Sequence, residues 1–230
     1  MPFLKNRAEH LVERMDRPDC DKEVLFNTYR QFSHVNDLIS RWESLFKAYI
    51  APLGNRRREM NLLDIGCGGG DLCLKFADWA NEAGIRMQIT GIDPDPRAME
   101  YVKQLDVPEN VEFKLARASD LVRYGERYDV VVSNHLLHHL RETEILELCK
   151  QTEQLTRQLA IFNDLRRSTL AMTAFGMTAP FLYRSSFIVR DGFTSIRRSF
   201  TKPELKKVLP EGWVIKKLFP YRLLVMYEPG

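Results

Sequence analysis

The chain is 230 residues long, 44% hydrophobic and 28% charged, the balance of an ordinary soluble globular protein with room for one α/β domain. Its longest uncharged stretch, Ser168 to Tyr183, is 16 residues and is broken by Gly176 and Pro180, too short to span a bilayer comfortably. The N-terminus turns charged at Lys5 without an apolar signal core, and Cys20, Cys67, Cys73 and Cys149 show no C-x-x-C pair or zinc spacing, so a reduced cytoplasmic location is expected.

The net charge of +3 hides an asymmetry. Residues 1–164 carry 22 Lys and Arg against 27 Asp and Glu, whereas residues 165–230 carry 12 against 4. A basic C-terminal third attracts an anionic substrate, an acidic carrier protein, a membrane surface or nucleic acid, or is a plain solvated face.

In chain order, the first 50 residues read as helical, with amphipathic segments at 23–32 and 37–50. Leu38, Ile39, Trp42, Leu45, Phe46 and Ile50 recur at helical spacing and define one buried face. Ala51-Pro52-Leu53-Gly54-Asn55 ends that region, and Arg56-Arg57-Arg58-Glu59 opens a polar loop. From Asn61 strands alternate with helices, which implies a parallel sheet covered on both faces. Strands are expected near 61–66, 87–92, 110–116, 128–133 and 159–162, and helices near 70–83, 96–105 and 141–157. Residues 165–200 read as a long irregular apolar stretch. Thr201-Lys202-Pro203-Glu204 is a capping box opening a short helix. Residues 212–219 and 222–227 then form two strands around a tight turn at Pro220-Tyr221.

The chemistry concentrates at two strand ends. Leu62-Leu63-Asp64-Ile65 runs into Gly66-Cys67-Gly68-Gly69-Gly70, where missing side chains let the backbone approach a ligand. The next strand ends on Asp93, an acid able to accept hydrogen bonds from both hydroxyls of a ribose. A dinucleotide fingerprint would need glycine at the third position of G-x-G-x-x-G, but Asp71 stands there. A carboxylate at that helix start repels a pyrophosphate and suits a cofactor bearing cationic groups, such as the ammonium and sulfonium of S-adenosylmethionine.

Asp64-Ile65-Gly66-Cys67-Gly68-Gly69-Gly70 resembles motif I of the class I S-adenosylmethionine-dependent methyltransferases. Gly91-Ile92-Asp93-Pro94-Asp95 is similar to their second motif, and Tyr128-Asp129-Val130-Val131-Val132-Ser133-Asn134-His135 to their fourth-strand motif. The resemblance spans about residues 60–165 and points to the small-molecule branch that modifies quinone precursors and polyketide-derived metabolites. It implies a Rossmann-like, doubly wound, mostly parallel seven-stranded sheet with a C-terminal antiparallel hairpin. It further implies an N-terminal helical cap (1–58), a cofactor-binding core (59–164), an apolar substrate lid (165–200) and a closing helix and strand pair (201–230).

On that resemblance Asp64, Gly66, Cys67, Gly68 and Gly70 would meet the amino-acid half of the cofactor, Asp93 its ribose and Pro94 its adenine. The family's acid after strand three is replaced by Arg117, so Ala118, Ser119 or Asp120 would contact the adenine amino group. Asn134 stands at the fourth strand tip. Tyr29, Arg30 and Arg41 are candidates to reach the cofactor from the N-terminal helices, an Arg pairing with the methionine carboxylate or remaining on a helix surface. His135, nearest the strand tip, is the first candidate for a general base, followed by His138 and His139; the alternative is that these histidines pack or cap the loop. A metal is not expected, since no carboxylate cluster is visible beside Asp164.

For the acceptor, Phe175, Met177, Phe181 and Tyr183 would roof a hydrophobic site, with Arg166 at its edge and Arg190, Arg197 and Arg198 attracting an anionic group. The expected reaction is methyl transfer to a small hydrophobic molecule, at a phenolic or enolic oxygen of a quinone- or polyketide-type metabolite, or at an activated ring carbon. The Asn/Asp-Pro-Pro-Tyr signature of amide and base methylation is absent. RNA or protein methylation, or a non-catalytic scaffold keeping the fold, are the alternatives. No appended RNA-binding module is evident, so the expected partner is a small molecule, with at most weak membrane-surface association and an open oligomeric state.

Overall fold

The computed structural model describes residues 4–54 and 58–230. The charged start at Met1–Phe3 and the Asn55–Arg57 part of the expected polar loop lie outside the described residues. The sheet strands are β1 (Met60–Ile65), β2 (Met87–Asp93), β3 (Val111–Leu115), β4 (Tyr128–Asn134), β5 (Thr156–Leu165), β6 (Val214–Leu218) and β7 (Arg222–Tyr227). They pair in the order β3-β2-β1-β4-β5-β7-β6. The first five are parallel, and β7 inserts antiparallel between β5 and β6. The expected mostly parallel seven-stranded sheet with a closing hairpin is the observed one.

Strand alternation explains the two cores. Leu62 faces one side with Phe76, Trp42 and Phe46; Leu63 faces the other with Val131, Leu148 and Trp213. On the first side lie α3 (Asp71–Glu82) and α4 (Pro96–Val102), and on the second α5 (Ala118–Arg123), α6 (Glu142–Leu155) and α9 (Lys202–Val208). The Val130-Val131-Val132 run of β4 is fully buried at the sheet centre, as β-branched residues covered on both faces should be.

Three expectations are corrected. The N-terminal helix α1 runs unbroken over Lys22–Ile39, capped by Asp21 accepting from the Val24 N–H. It stops where Arg41 takes a left-handed φ of 58°, and the chain restarts as the short α2 (Trp42–Leu45) and a wide turn at Phe46–Ile50. The stretch after β5 is not irregular but two helices, α7 (Thr169–Leu182) and α8 (Ile188–Arg198). Gly176 and Pro180 misled the reading. Pro180 removes the N–H that would bond the Gly176 carbonyl but stands only two residues before the end of α7, so it ends the helix rather than preventing it, and Gly176 gives room for the Phe193 ring, whose Cζ would lie 3.2 Å from an added Cβ. Finally, α5 was not foreseen. It is only six residues long, closed by Asp120 accepting from the Arg117 N–H at 2.9 Å.

Candidate active site

The strand order 3-2-1-4 switches direction between the parallel neighbours β1 and β4, and a crevice opens beyond their carboxyl ends. A cavity of about 360 Å³ fills it, lined by the glycine loop, the β2 tip, the β4 tip and residues ahead of and within α1. The loop is locked by its own backbone: the N–H groups of Gly66 and Cys67 both donate to the Ile92 carbonyl. Gly68 holds φ at 51° and donates its N–H to Asp93 Oδ2 at 2.9 Å. An added Cβ there would find its nearest protein atom 3.7 Å away, so this position is open to the cavity. Gly70 is different. Its φ is 76°, and a Cβ would meet Phe113 Cζ at 2.6 Å, so it is small for packing.

Asp93 is fixed from both sides, Oδ2 by Gly68 and Oδ1 by the Asp95 N–H at 2.8 Å. Burial raises its pKa, and a carboxylate with two donors still has lone pairs for two hydroxyls. Pro94 lies beside it in the cavity wall. Ala118 and Ser119 do not line this cavity but an adjoining one of about 290 Å³, which shares Gly66, Pro94 and Leu136 with it. That is where a base attached to a ribose on Asp93 would extend. Asp120, spent on capping α5, is not in that wall.

The same cavity is lined by two further acids, Asp64 and Asp71. Asp64 is buried, accepts only a weak bond from Cys73 Sγ at 3.5 Å, and is pushed by burial up to about 7. Its Oδ1 has no hydrogen-bond partner among the described residues. A buried orphan oxygen facing a cavity is a site for a cationic donor. Asp71 accepts from Asn36 Nδ2 at 2.9 Å. Both acids fit an ammonium and a neighbouring sulfonium and oppose a phosphate. Cys67 also lines the cavity, whereas Arg30 and Arg41, placed on the exposed side of the N-terminal helices, do not. Tyr29 does reach it, packed over Gly69.

Arg222 at the start of β7 organises the strand tips. It is wholly buried, and burial lowers its pKa to about 10. Its guanidinium donates to Asn163 Oδ1 at 2.5 Å, to Asn134 Oδ1 at 2.7 Å and to His135 Nε2 at 3.1 Å. Asn134 passes the chain on by donating to Asn36 Oδ1 at 2.9 Å, which reaches Asp71. Asn163 Nδ2 donates to the Ser40 carbonyl at 2.7 Å. The end of α1 is thereby tied to β4, β5 and β7 at once.

This network changes the reading of His135. A guanidinium can only donate, so Nε2 of His135 must accept and the neutral ring must carry its proton on Nδ1. Burial, and then Arg222, hold its pKa well below the usual imidazole value. The expectation of a general base is corrected: the ring is built to donate. Its φ of 60° swings it into the wall between the first cavity and a second.

The second cavity, about 250 Å³, lies under α7 and α8 and is mostly apolar, lined by Phe32, Val35, Ala171, Phe175 and Ile188 among others. Arg166 lines it with its guanidinium 5.9 Å from the Tyr221 ring centre. Of the other expected roof residues, Tyr183 is not in the lining, and Met177 and Phe181 turn outward, 70% and 78% exposed. Arg190 is exposed, and Arg198 is buried with its donors spent on the carbonyls of His138, His139 and Leu11. The alternation of apolar residues was read without a helical phase, so inward and outward faces could not be separated.

His138 and His139 were expected as bases and are found in an ion-pair cluster with Asp164, Glu13 and Asp16. Asp164, which seemed isolated, accepts from the His138 N–H at 3.0 Å and lies 2.6 Å from its Nδ1. Burial works against the charge on His138, but Asp164 and Glu13 outweigh it and raise its pKa to about 9. Burial likewise resists ionising Glu13, and His139 with His138 reverses this to about 2. Glu13, Met15, Phe32 and Ser195 line both cavities and were missed. Met15 and Glu13 precede the first helix, where no periodic pattern marks a role.

A model of a methyltransferase domain matches residues 56–166. Among curated proteins, the ubiquinone biosynthesis O-methyltransferase of Methylobacterium sp. (strain 4-46) is 33% identical over 87 residues, 36% of this chain and 32% of that protein. The ubiquinone/menaquinone biosynthesis C-methyltransferase UbiE of Klebsiella pneumoniae subsp. pneumoniae is 25% identical over 136 residues, 58% of this chain and 54% of that protein. The chain thus spans about a third to a half of the length of these relatives. Among solved structures, the plantazolicin methyltransferase BpumL in complex with SAH superposes with a TM-score of 0.59 at 16% identity, covering 89% of this chain and 93% of that one. Strand order, glycine loop and the matching segment agree: the chain has the fold of the class I S-adenosylmethionine-dependent methyltransferases, and its residues 56–166 match a methyltransferase domain.

Proposed function

We propose that the protein transfers the methyl group of S-adenosylmethionine to a small, largely apolar acceptor, at a phenolic or enolic oxygen of a quinone- or polyketide-type metabolite. The observation that carries this reading is the shared wall. His135, Phe32, Glu13, Met15 and Ser195 line both the polar cavity on the glycine loop and the apolar cavity beneath α7 and α8. A donor in the first and an acceptor in the second would meet at that wall.

The bound sulfonium is itself the alkyl donor, and the chain's part is to place the acceptor against it. Asp93 would hold the ribose, Asp64 and Asp71 the cationic end, and the cavity under α7 the apolar body of the acceptor. Positioning of this kind is worth up to about 7–11 kcal/mol of a barrier. His135, with Nδ1–H as its free donor, would orient the acceptor oxygen and leave a lone pair for attack. The small-molecule relatives support an acceptor of this class: one curated relative is an O-methyltransferase and another a C-methyltransferase of quinone biosynthesis.

Incubation with methyl-labelled S-adenosylmethionine and a panel of phenols, hydroquinones and enols tests the reading. Label in an apolar aromatic oxygen ether is the expected product. Label found only in RNA or protein, with none in any small acceptor, would refute it.

A further inference from the structure

Glu13, His138 and His139 stand in an arrangement that neither the cofactor nor the acceptor requires. The two histidines sit on the turn Leu137–His139 after β4, and Glu13 comes from the segment ahead of α1. Glu13 Oε1 is 3.4 Å from His138 Nε2, and its Oε2 is 3.8 Å from His139 Nε2. One ligand atom from each of the three residues lies within 4.8 Å of the other two. Zinc–nitrogen and zinc–oxygen bonds of about 2.0–2.2 Å set tetrahedral edges of roughly 3.3–3.6 Å. The 3.4 Å spacing matches that edge, and the 3.8 Å spacing, to the other carboxylate oxygen, exceeds it by a few tenths of an ångström that a side-chain shift would close.

The outer partners point the same way. The Nδ1 of His138 lies 2.6 Å from Asp164 Oδ1, and the Nδ1 of His139 lies 2.9 Å from Asp16 Oδ2. A carboxylate on the far nitrogen of each imidazole fixes ring orientation and turns Nε2 toward the centre, as metal-ligating histidines require. Ser195 Oγ donates to Glu13 Oε1 at 2.7 Å and steadies the carboxylate. The turn beneath is clamped as well: Arg198 and Arg7 both donate to the His138 carbonyl, Arg198 to that of His139 and Arg7 to that of Leu140. All three candidate ligands line the first cavity, and Glu13 also lines the second.

We propose that Glu13, His138 and His139 form a binding site for one divalent transition-metal ion of the zinc type, with a coordination position open to the cavity. Two imidazoles and one carboxylate suit zinc, cobalt, nickel or ferrous ions and not magnesium or calcium, which favour all-oxygen shells. An ion there stands at the junction of the two cavities, where its open position could take an oxygen of the acceptor. Binding replaces the His138–Glu13 ion pair and displaces the proton from His138 Nε2.

The test uses chelator-stripped protein without a histidine tag, in the absence of S-adenosylmethionine. Titration with Zn2+ by calorimetry, and with Co2+ by visible absorption, should show one saturable site and the intense bands of a tetrahedral cobalt centre. His139 is partly exposed, so His139→Ala should keep the fold by circular dichroism and lose the saturable binding. Asp16→Asn, which touches only the outer nitrogen of His139, should weaken it about 10-fold or more. No saturable site in the wild type, or equal affinity in folded His139→Ala, overturns the proposal. Cofactor binding is measured separately, so failure of the methyl-transfer reading leaves this result intact and the reverse also holds.

Discussion

Asp93→Ala isolates the contact on which recognition of the nucleoside rests. The carboxylate lies at the β2 tip with Oδ2 on the Gly68 N–H and Oδ1 on the Asp95 N–H, and its remaining lone pairs face the cavity that Gly68 leaves open. Two ribose hydroxyls donating to a charged acceptor contribute about 1.5–3 kcal/mol each, so their joint loss is about 3–6 kcal/mol. At 1.4 kcal/mol per tenfold, affinity for S-adenosylhomocysteine should fall about 10²- to 10⁴-fold. Calorimetric titration measures it directly. The substitution also releases the glycine loop, so a melting curve without ligand must accompany it. A variant that melts earlier yet binds within threefold of the wild type would show that Asp93 only anchors the loop, and the ribose assignment would be refuted.

Asp64, with its pKa pushed to about 7 by burial, gives a signed pH dependence. Its anionic form attracts a cationic cofactor, so affinity should decline as pH falls through 7. Ligand-free stability should move oppositely through this group, because the folded state holds a proton that the unfolded one has released above its ordinary carboxyl pKa; Asp64→Asn should flatten both profiles. Gly70→Ala combines a left-handed φ with a 2.6 Å approach to Phe113, and urea denaturation should register a loss of about 2–5 kcal/mol from strain and overpacking. Gly68→Ala meets open space instead, so its larger effect should be on cofactor affinity; the reverse ranking would contradict the division of labour in the loop. Ala174 lines the apolar cavity alone, and Ala174→Phe should raise the acceptor KM while cofactor affinity is unchanged, as measured by steady-state kinetics and calorimetry.

The sheet was legible because its signals are local. A glycine cluster after an apolar strand, an acid at the next strand end and a β-branched run at 128–133 each carry their meaning within ten residues. The capping box at Thr201 and Glu204 behaves likewise, with Glu204 Oε2 accepting from the Thr201 N–H at 2.7 Å. Gly66, Cys67, Gly68, Asp93 and Pro94, expected to meet the cofactor, all line one cavity, and they come from two short segments. What escaped notice depends on distance along the chain. Arg222 meets His135 across 87 residues, and Glu13 meets Ser195 across 182. One cue was available: a single arginine heading the otherwise apolar strand Arg222–Tyr227, where a charge must either face water or be fully partnered. The helices α7 and α8 were obscured because glycine and proline were weighed as breakers without regard to their place in the turn.

Arg222 also sets a timetable for assembly. In chain order β1 to β5, with the glycine loop and the acids at their tips, are all synthesised before β7. Until that strand threads in beside β5, Asn134, Asn163 and His135 have no cation to share, and the floor between the two chambers stays unset. A chain cut short of residue 222 would retain the nucleotide-fold signature and still lack a finished workplace. Maturity in this molecule is conferred by a side chain made after every strand tip that it joins.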